Sequence, residues 1–137
     1  MLRDCKYLIG IVMSNSKQND AGRYFEYLVT ENLKERYDVS LTERALNDQE
    51  RDQYKKEGIE EKKIQQMEKS ILKITNWIAS KIDLNSNCIL DRLPEKSVSG
   101  THDDISITNG NDSIIIHLLL LFNTITLNQI YNNFNLL

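Results

Sequence analysis

A strand, a tight turn and a second strand near the C-terminus constrain the fold of this chain most. Apolar and polar residues alternate over residues 105–108, Asn109-Gly110 supplies the turn, and residues 113–122 form an apolar, β-branched run. Asn-Gly between alternating hydrophobic residues is a strong short-range signal for a hairpin. The sequence therefore predicts a β-hairpin here.

Two adjacent carboxylates precede this hairpin. Asp103 and Asp104 follow His102 directly before the first predicted strand. Paired carboxylates at a place where a sheet edge meets a polar loop suit a hard divalent cation. The arrangement favours metal-assisted hydrolysis.

The length and the charge of the chain limit the functions that it can have. Its 137 residues are enough for one modest core, so we expect a single domain over residues 1–137 and no separate substrate domain. The net charge of −3 is unevenly spread, because all 17 lysines and arginines precede residue 97. A nucleic-acid partner is therefore not excluded by charge.

The N-terminus and the two cysteines indicate the cellular compartment of the protein. The apolar patch within residues 1–13 is too short to span a bilayer and is followed by no cleavage-like site. Cys5 and Cys88 match no metal-ligand spacing. We expect reduced thiols in a cytoplasmic protein without a membrane partner, and either a natural start at Met13 or an N-terminal strand.

A first amphipathic helix is predicted over residues 21–37, after an N-cap at Asn19 or Asp20. Glu26 falls at the margin of its apolar stripe. The carboxylate there either points along the core toward a sheet or belongs to the ordinary helix surface.

Two further helices and a short strand lead to the hairpin. Residues 42–56, capped by Ser40 or Thr42, are dense in charge and predicted to be mostly solvated. Residues 59–81 carry one apolar stripe, which consists of Ile64, Met67, Ile71, Ile74, Ile78 and Ile82. A strand over residues 88–93 is stopped by Pro94. Together these patterns predict an α/β fold, with N-terminal helices packed on a small mixed sheet that is incomplete at the C-terminus.

Several stretches of the chain resemble type II restriction endonucleases of the PD-(D/E)xK superfamily, in particular those similar to the GGCC-cutting enzymes of restriction-modification systems. The segment AGRYFEYLVTENLKERY is similar to their opening helix, and TERALNDQERDQYKKEG and VSGTHDDISITNG extend the likeness. The resemblance covers residues 20–116. In domain terms, residues 13–112 are the family-like part and residues 113–137 an aberrant apolar tail.

The resemblance implies a Mg²⁺-dependent enzyme that cleaves double-stranded DNA, and it allows a homodimer. Asp104 would be the first metal-binding and catalytic carboxylate, Asp103 a neighbouring metal ligand, and Glu26 the auxiliary catalytic acid. Bound Mg²⁺ would activate a water and offset charge on the phosphate. The lysine expected on the following strand is missing from residues 114–120, where His117 is predicted to be an ordinary sheet residue. The resemblance therefore implies an inactive chain.

The composition changes where the motif fails. Basic residues end at Lys96 and acidic residues at Asp112, and the tail consists largely of Ile, Leu, Phe, Asn, Tyr and Thr. An A/T-rich gene read out of frame yields such residues, so we predict a change of reading frame between Asp112 and Leu118. A genuine apolar strand and tail is the alternative. For function, the alternative is a non-enzymatic interaction module that docks a partner helix on the apolar stripe of residues 64–82.

Overall fold

The computed structural model describes residues 15–94 and 105–118, with side chains from residue 20 onward. The elements in these ranges are α1 (Asn15–Tyr37), β1 (Ser40–Leu41), α2 (Glu43–Asp52), a 3-10 helix (Gln53–Gly58), α3 (Glu61–Lys81), β2 (Ile89–Arg92), β3 (Ile105–Asn109) and β4 (Asp112–Ile116). The α-helices share one core with a mixed sheet of strand order β1-β2-β3-β4. The predicted α/β class is confirmed.

The first helix, α1, is longer than predicted. It begins at Asn15, so both predicted cap residues, Asn19 and Asp20, lie inside the helix and the predicted cap is wrong. Residues 15–20 include neither Gly nor Pro, so no helix breaker separates the predicted cap from the residues before it. The helix ends where Asp38 adopts φ +59° and its N–H donates to the Lys34 carbonyl oxygen at 3.0 Å. That is a left-handed C-terminal cap.

The second helix, α2, is amphipathic rather than mostly solvated. Thr42 caps it, because its Oγ1 accepts a hydrogen bond from the Ala45 N–H at 3.1 Å. Ala45, Gln49 and Asp52 follow at i, i+4 and i+7 and are all buried. The prediction of a solvated segment is therefore wrong for this face, which is polar and yet excluded from water.

The third helix, α3, carries the apolar stripe predicted for it. Its buried residues are Ile64, Met67, Ile74, Thr75 and Ile78, with Ile71 partly buried. These side chains join Val29 and Leu33 of α1, which have no exposed surface, in a single core with the sheet. The stripe thus packs within the chain itself.

The hairpin pairs as predicted, with a shift of one residue at its turn, but its second strand ends at Ile116, whereas the run predicted as a strand extends to residue 122. Residues 119–122 of that run lie outside the described residues. Asn109 pairs with Asp112, so the central residues are Gly110 and Asn111 rather than Asn109 and Gly110. Gly110 adopts φ +63°. A two-residue hairpin turn requires a positive φ at its first central position, and glycine adopts it without strain.

The two faces of the sheet differ in exposure, because successive side chains on a strand point to opposite sides. Leu90, Ile105 and Ile107 are fully buried in the core, whereas Ile89 and Ile115 on the other face are 49% and 60% exposed. The segment before β2 holds Cys88 as a buried free thiol, as expected for a reduced cysteine. Among the described residues, no helix is long and apolar enough to cross a membrane.

Candidate functional site

The predicted site residues fall in different parts of the chain. Asp103 and Asp104 lie outside the described residues, as does His102. Glu26 lies on α1 with its side chain 12% exposed, and its Oε1 is 3.4 Å from Nη2 of Arg92. Of the two sequence alternatives, the structure confirms that Glu26 points along the core toward the sheet.

Arg92, the last residue of β2, is the centre of a buried polar cluster. Its side chain has no exposed surface. Nη2 donates to Asp52 Oδ2 at 2.7 Å, and Nη1 donates to Gln49 Oε1 at 3.0 Å. Nη2 also donates to the Arg23 carbonyl oxygen at 3.3 Å. We call Glu26, Gln49, Asp52 and Arg92 the Arg92 cluster, and these partners are what make a guanidinium tolerable away from water.

Asp52 is held by two arginines. Arg51 donates to Oδ1 at 2.9 Å through Nε and to Oδ2 at 3.2 Å through Nη2. Burial by itself raises the pKa of Asp52, but the hydrogen bonds from Arg51 and the charge and hydrogen bond of Arg92 outweigh it. The pKa of Asp52 therefore lies below its ordinary value of 3.8. Asp52 is a carboxylate at neutral pH.

Gln49 ties the cluster to α1. Its Nε2 donates to the Tyr27 carbonyl oxygen at 3.2 Å and to Glu31 Oε1 at 3.0 Å, while its Oε1 accepts from Arg92. An amide suits this position because it carries donors and an acceptor on one side chain. One hydrogen-bonded network therefore joins α1, α2 and β2.

The strand register places the Arg92 cluster at one end of the sheet. Arg92 pairs with Ile105, and Ile105 pairs with Ile116. In the sequence, Asp104 comes directly before Ile105. Through its contact with Arg92, Glu26 therefore reaches the end of the sheet at which β3 begins.

The described carboxylates at this end do not by themselves fit a metal ion. Glu26 and Asp52 both face Arg92, whose positive charge opposes a cation beside them. Within residues 15–94 and 105–118, no group of three His, Cys, Asp or Glu side chains is placed to hold a metal. Mg²⁺ chemistry would depend on Asp103 and Asp104, so no catalytic step follows from the described residues.

A second ion pair lies one residue earlier on β2, on the opposite face. Asp91 Oδ1 accepts from Thr42 Oγ1 at 2.7 Å and from Arg44 Nε at 3.2 Å, and Oδ2 accepts from Arg44 Nη2. The hydrogen bond from Arg44 outweighs the effect of burial and, with that from Thr42, holds the pKa of Asp91 below 3.8. This pair joins β2 to the start of α2.

The Arg92 cluster was not predicted from the sequence, because the charged segment around α2 was assigned to solvent. A signal was present, since Ala45, Gln49 and Asp52 have the spacing of one helical face. Arg92 also stands two residues after Leu90 and so shares its inward side of a strand. Periodicity of all small and polar positions, not only of apolar ones, would have found this face.

No protein-family model, curated protein or solved structure matches this chain.

Proposed function

We propose that this chain is a restriction-endonuclease-like domain that binds double-stranded DNA and does not cleave it. The placement of Glu26 carries the proposal. Its carboxylate leaves α1 beside Arg92, at the end of the sheet where β3 begins. The residue directly before β3 is Asp104, to which the resemblance assigns the first metal-binding carboxylate. An acid from the opening helix and the start of that strand thus share one sheet end.

The order of the strands supports the same proposal. After the helices, β2, β3 and β4 form an antiparallel meander with β3 in the middle. The resemblance assigns the motif lysine to the strand after Asp104, which is β4, and β4 reads Asp-Ser-Ile-Ile-Ile. A phosphate under attack would meet no cation from this strand, although such charge stabilisation is a large part of catalysis. We therefore expect no cleavage.

The alternative is a module that docks a partner helix on α3, but the apolar surface that such docking needs is not exposed. The apolar stripe of α3 lies in the core of the chain, where Ile74 and Ile78 have no exposed surface. A partner helix could reach them only by displacing α1 or the sheet. We therefore favour the nuclease-like function, which is supported by the position of Glu26 beside Arg92.

Anisotropy of a labelled duplex tests binding, and a plasmid incubated with Mg²⁺ tests cleavage. We expect affinity to fall as salt rises from about 50 mM to about 200 mM, because phosphate contacts release counterions, and we expect the plasmid to stay intact. No binding at the lower salt would overturn the proposal.

Asp104→Asn identifies the origin of any cleavage, with Asp112→Asn as the matched control at an exposed position of the hairpin. Cleavage by the wild-type chain that survives Asp112→Asn but not Asp104→Asn would overturn the non-cleaving part of the proposal. Cleavage that survives both changes would assign it to a contaminating nuclease and leave the prediction standing.

A further inference from the structure

We infer that the solvent-facing side of α3 is the surface that contacts the DNA backbone, an inference that rests on the proposed function and names its surface. Lys62, Lys69 and Lys73 are exposed on this side. At 3.6 residues per turn, the three fall within a sector of about 40° around the helix axis. We call them the lysine stripe, and the sector lies opposite the buried apolar stripe.

Charge is separated by sign around α3. Its two acidic residues, Glu61 and Glu68, lie roughly 100° and 120° from the middle of the lysine stripe. The other residues of α3 within about 40° of the middle of the stripe are uncharged: Gln66, Asn76 and Ser80. An ordinary solvated face interleaves both signs, which supports the helix through ion pairs. This face presents positive charge only.

The described part of the chain does not neutralise the lysine stripe. None of the three lysines makes an ion pair with a described residue, whereas Lys55 pairs with Asp20 at 3.0 Å. Lys69 and Lys73 are moreover i, i+4 neighbours of like charge, an arrangement that destabilises a helix. A bound polyanion would remove this repulsion.

The spacing of the stripe suits a duplex. Lys62 and Lys73 are roughly 16 Å apart along the helix axis at 1.5 Å per residue. Over that distance one DNA strand presents about five phosphates, at 3.4 Å each along the duplex axis. Each ammonium group can therefore meet a different phosphate. Such contacts set affinity and orientation and carry no sequence information.

Trp77 provides a local reporter of this surface. It is the only tryptophan in the chain and follows Lys73 by about one helical turn. The residue is 37% exposed, and Lys81 Nζ lies 5.5 Å from the centroid of its ring. A duplex on the lysine stripe changes the surroundings of this ring, so tryptophan emission reports occupancy.

Two double variants with equal loss of charge test the inference. Lys69→Gln/Lys73→Gln acts on the stripe, and Lys34→Gln/Lys56→Gln removes two exposed lysines elsewhere. Glutamine and lysine have similar helix propensity, so the fold is retained, which circular dichroism checks. Each protein is titrated into a labelled duplex at several salt concentrations, with anisotropy and tryptophan emission recorded together.

We expect the slope of log Kobs against log salt, which is negative, to become less steep in the stripe variant by roughly 0.9 for each lost contact. The control variant should keep the wild-type slope and the change in Trp77 emission. Equal losses in both variants, or unchanged emission while the wild-type chain binds, would place the duplex on another surface and overturn the inference but not the proposed function. A wild-type chain that binds no duplex would overturn both.

Discussion

Asp91 and Arg92, neighbours on β2, form ion pairs on opposite faces of the sheet and in different surroundings. The side chains of Arg92 and Asp52 are both 0% exposed, whereas those of Arg44 and Asp91 are 48% and 20% exposed. Two charges taken out of water need every available partner, and removal of one leaves the other uncompensated. Water and salt screen an exposed pair. We therefore expect the buried pair of Arg92 to matter much more for the stability of the fold than the exposed pair of Asp91, although the two residues are neighbours on one strand.

The largest effect is expected from Arg92→Met, which keeps much of the buried stem but removes the guanidinium. Asp52 and Gln49 then lose a buried partner, so the free energy of unfolding should fall by about 3–5 kcal/mol. Urea denaturation measures the change. The double variant Asp52→Leu/Arg92→Met should be more stable than Arg92→Met, because it removes the buried carboxylate that Arg51 alone would then compensate; a double variant that is less stable would contradict this account.

The pH dependence of stability is the second test of the comparison. The pKa of Asp52 is lowered in the folded protein, so its contribution is fully present above about 3.8 and is lost as pH falls through the lower folded value. In Arg92→Met the charge and hydrogen bond of Arg92 are gone, so the pKa of Asp52 in the folded protein is higher than in the wild type. This variant therefore loses less stability when the pH falls. The difference in the free energy of unfolding between wild type and variant should therefore become smaller below pH 3.8.

Asp91 also has a lowered pKa, but both proteins in this comparison retain it, so its effect cancels in the difference. Urea midpoints at neutral pH and at several values below 3.8 provide the measurement. A gap that widens on acidification would show that Arg92 does not stabilise the Asp52 carboxylate.

Thr42 joins the exposed pair to the start of α2 and gives an intermediate effect. Thr42→Ala removes the cap on the Ala45 N–H and a hydrogen bond to Asp91, so we expect a loss of about 1 kcal/mol. Thr42→Ser keeps the hydroxyl and should restore most of it. Equal losses in the two variants, read from thermal unfolding, would assign the effect to the methyl group instead.

The smallest effect is expected from Arg44→Gln, since the Arg44 side chain is mostly in water. The shift of its urea midpoint should be far below that of Arg92→Met and should fade further as salt is added. A shift comparable to that of Arg92→Met would remove the distinction between the two faces of β2.

Much of the fold was predictable because local spacing and burial agree. The apolar stripe of α3, the Thr42 cap and the hairpin each follow from short-range patterns. The start of α1 was predicted wrongly, because the residues before Asn19 suit a helix as well as a loop. The turn shifted by one residue because Asn-Gly-Asn permits two registers, and the pairing of Asn109 with Asp112 selects one.

The candidate site was predictable only in part. The margin position of Glu26 followed from helical spacing, but its partner Arg92 is 66 residues away in the sequence. Asp103 and Asp104 lie outside the described residues, and their roles stay predictions. The change of reading frame between Asp112 and Leu118 also stays a prediction, to be checked by the nucleotide sequence after codon 112.

By itself, the sequence determined the hairpin, the apolar stripe of α3 and the class of fold, because the periods of helices and strands are written in neighbouring residues. Only the tertiary structure decided that Arg92 and Asp52 are buried together and that Asp91, next to Arg92, stays near water. Burial of a charge depends on partners from distant segments, here α1, α2 and β2. A local sequence pattern does not predict that these side chains will be in contact, because the contact forms only when the core packs.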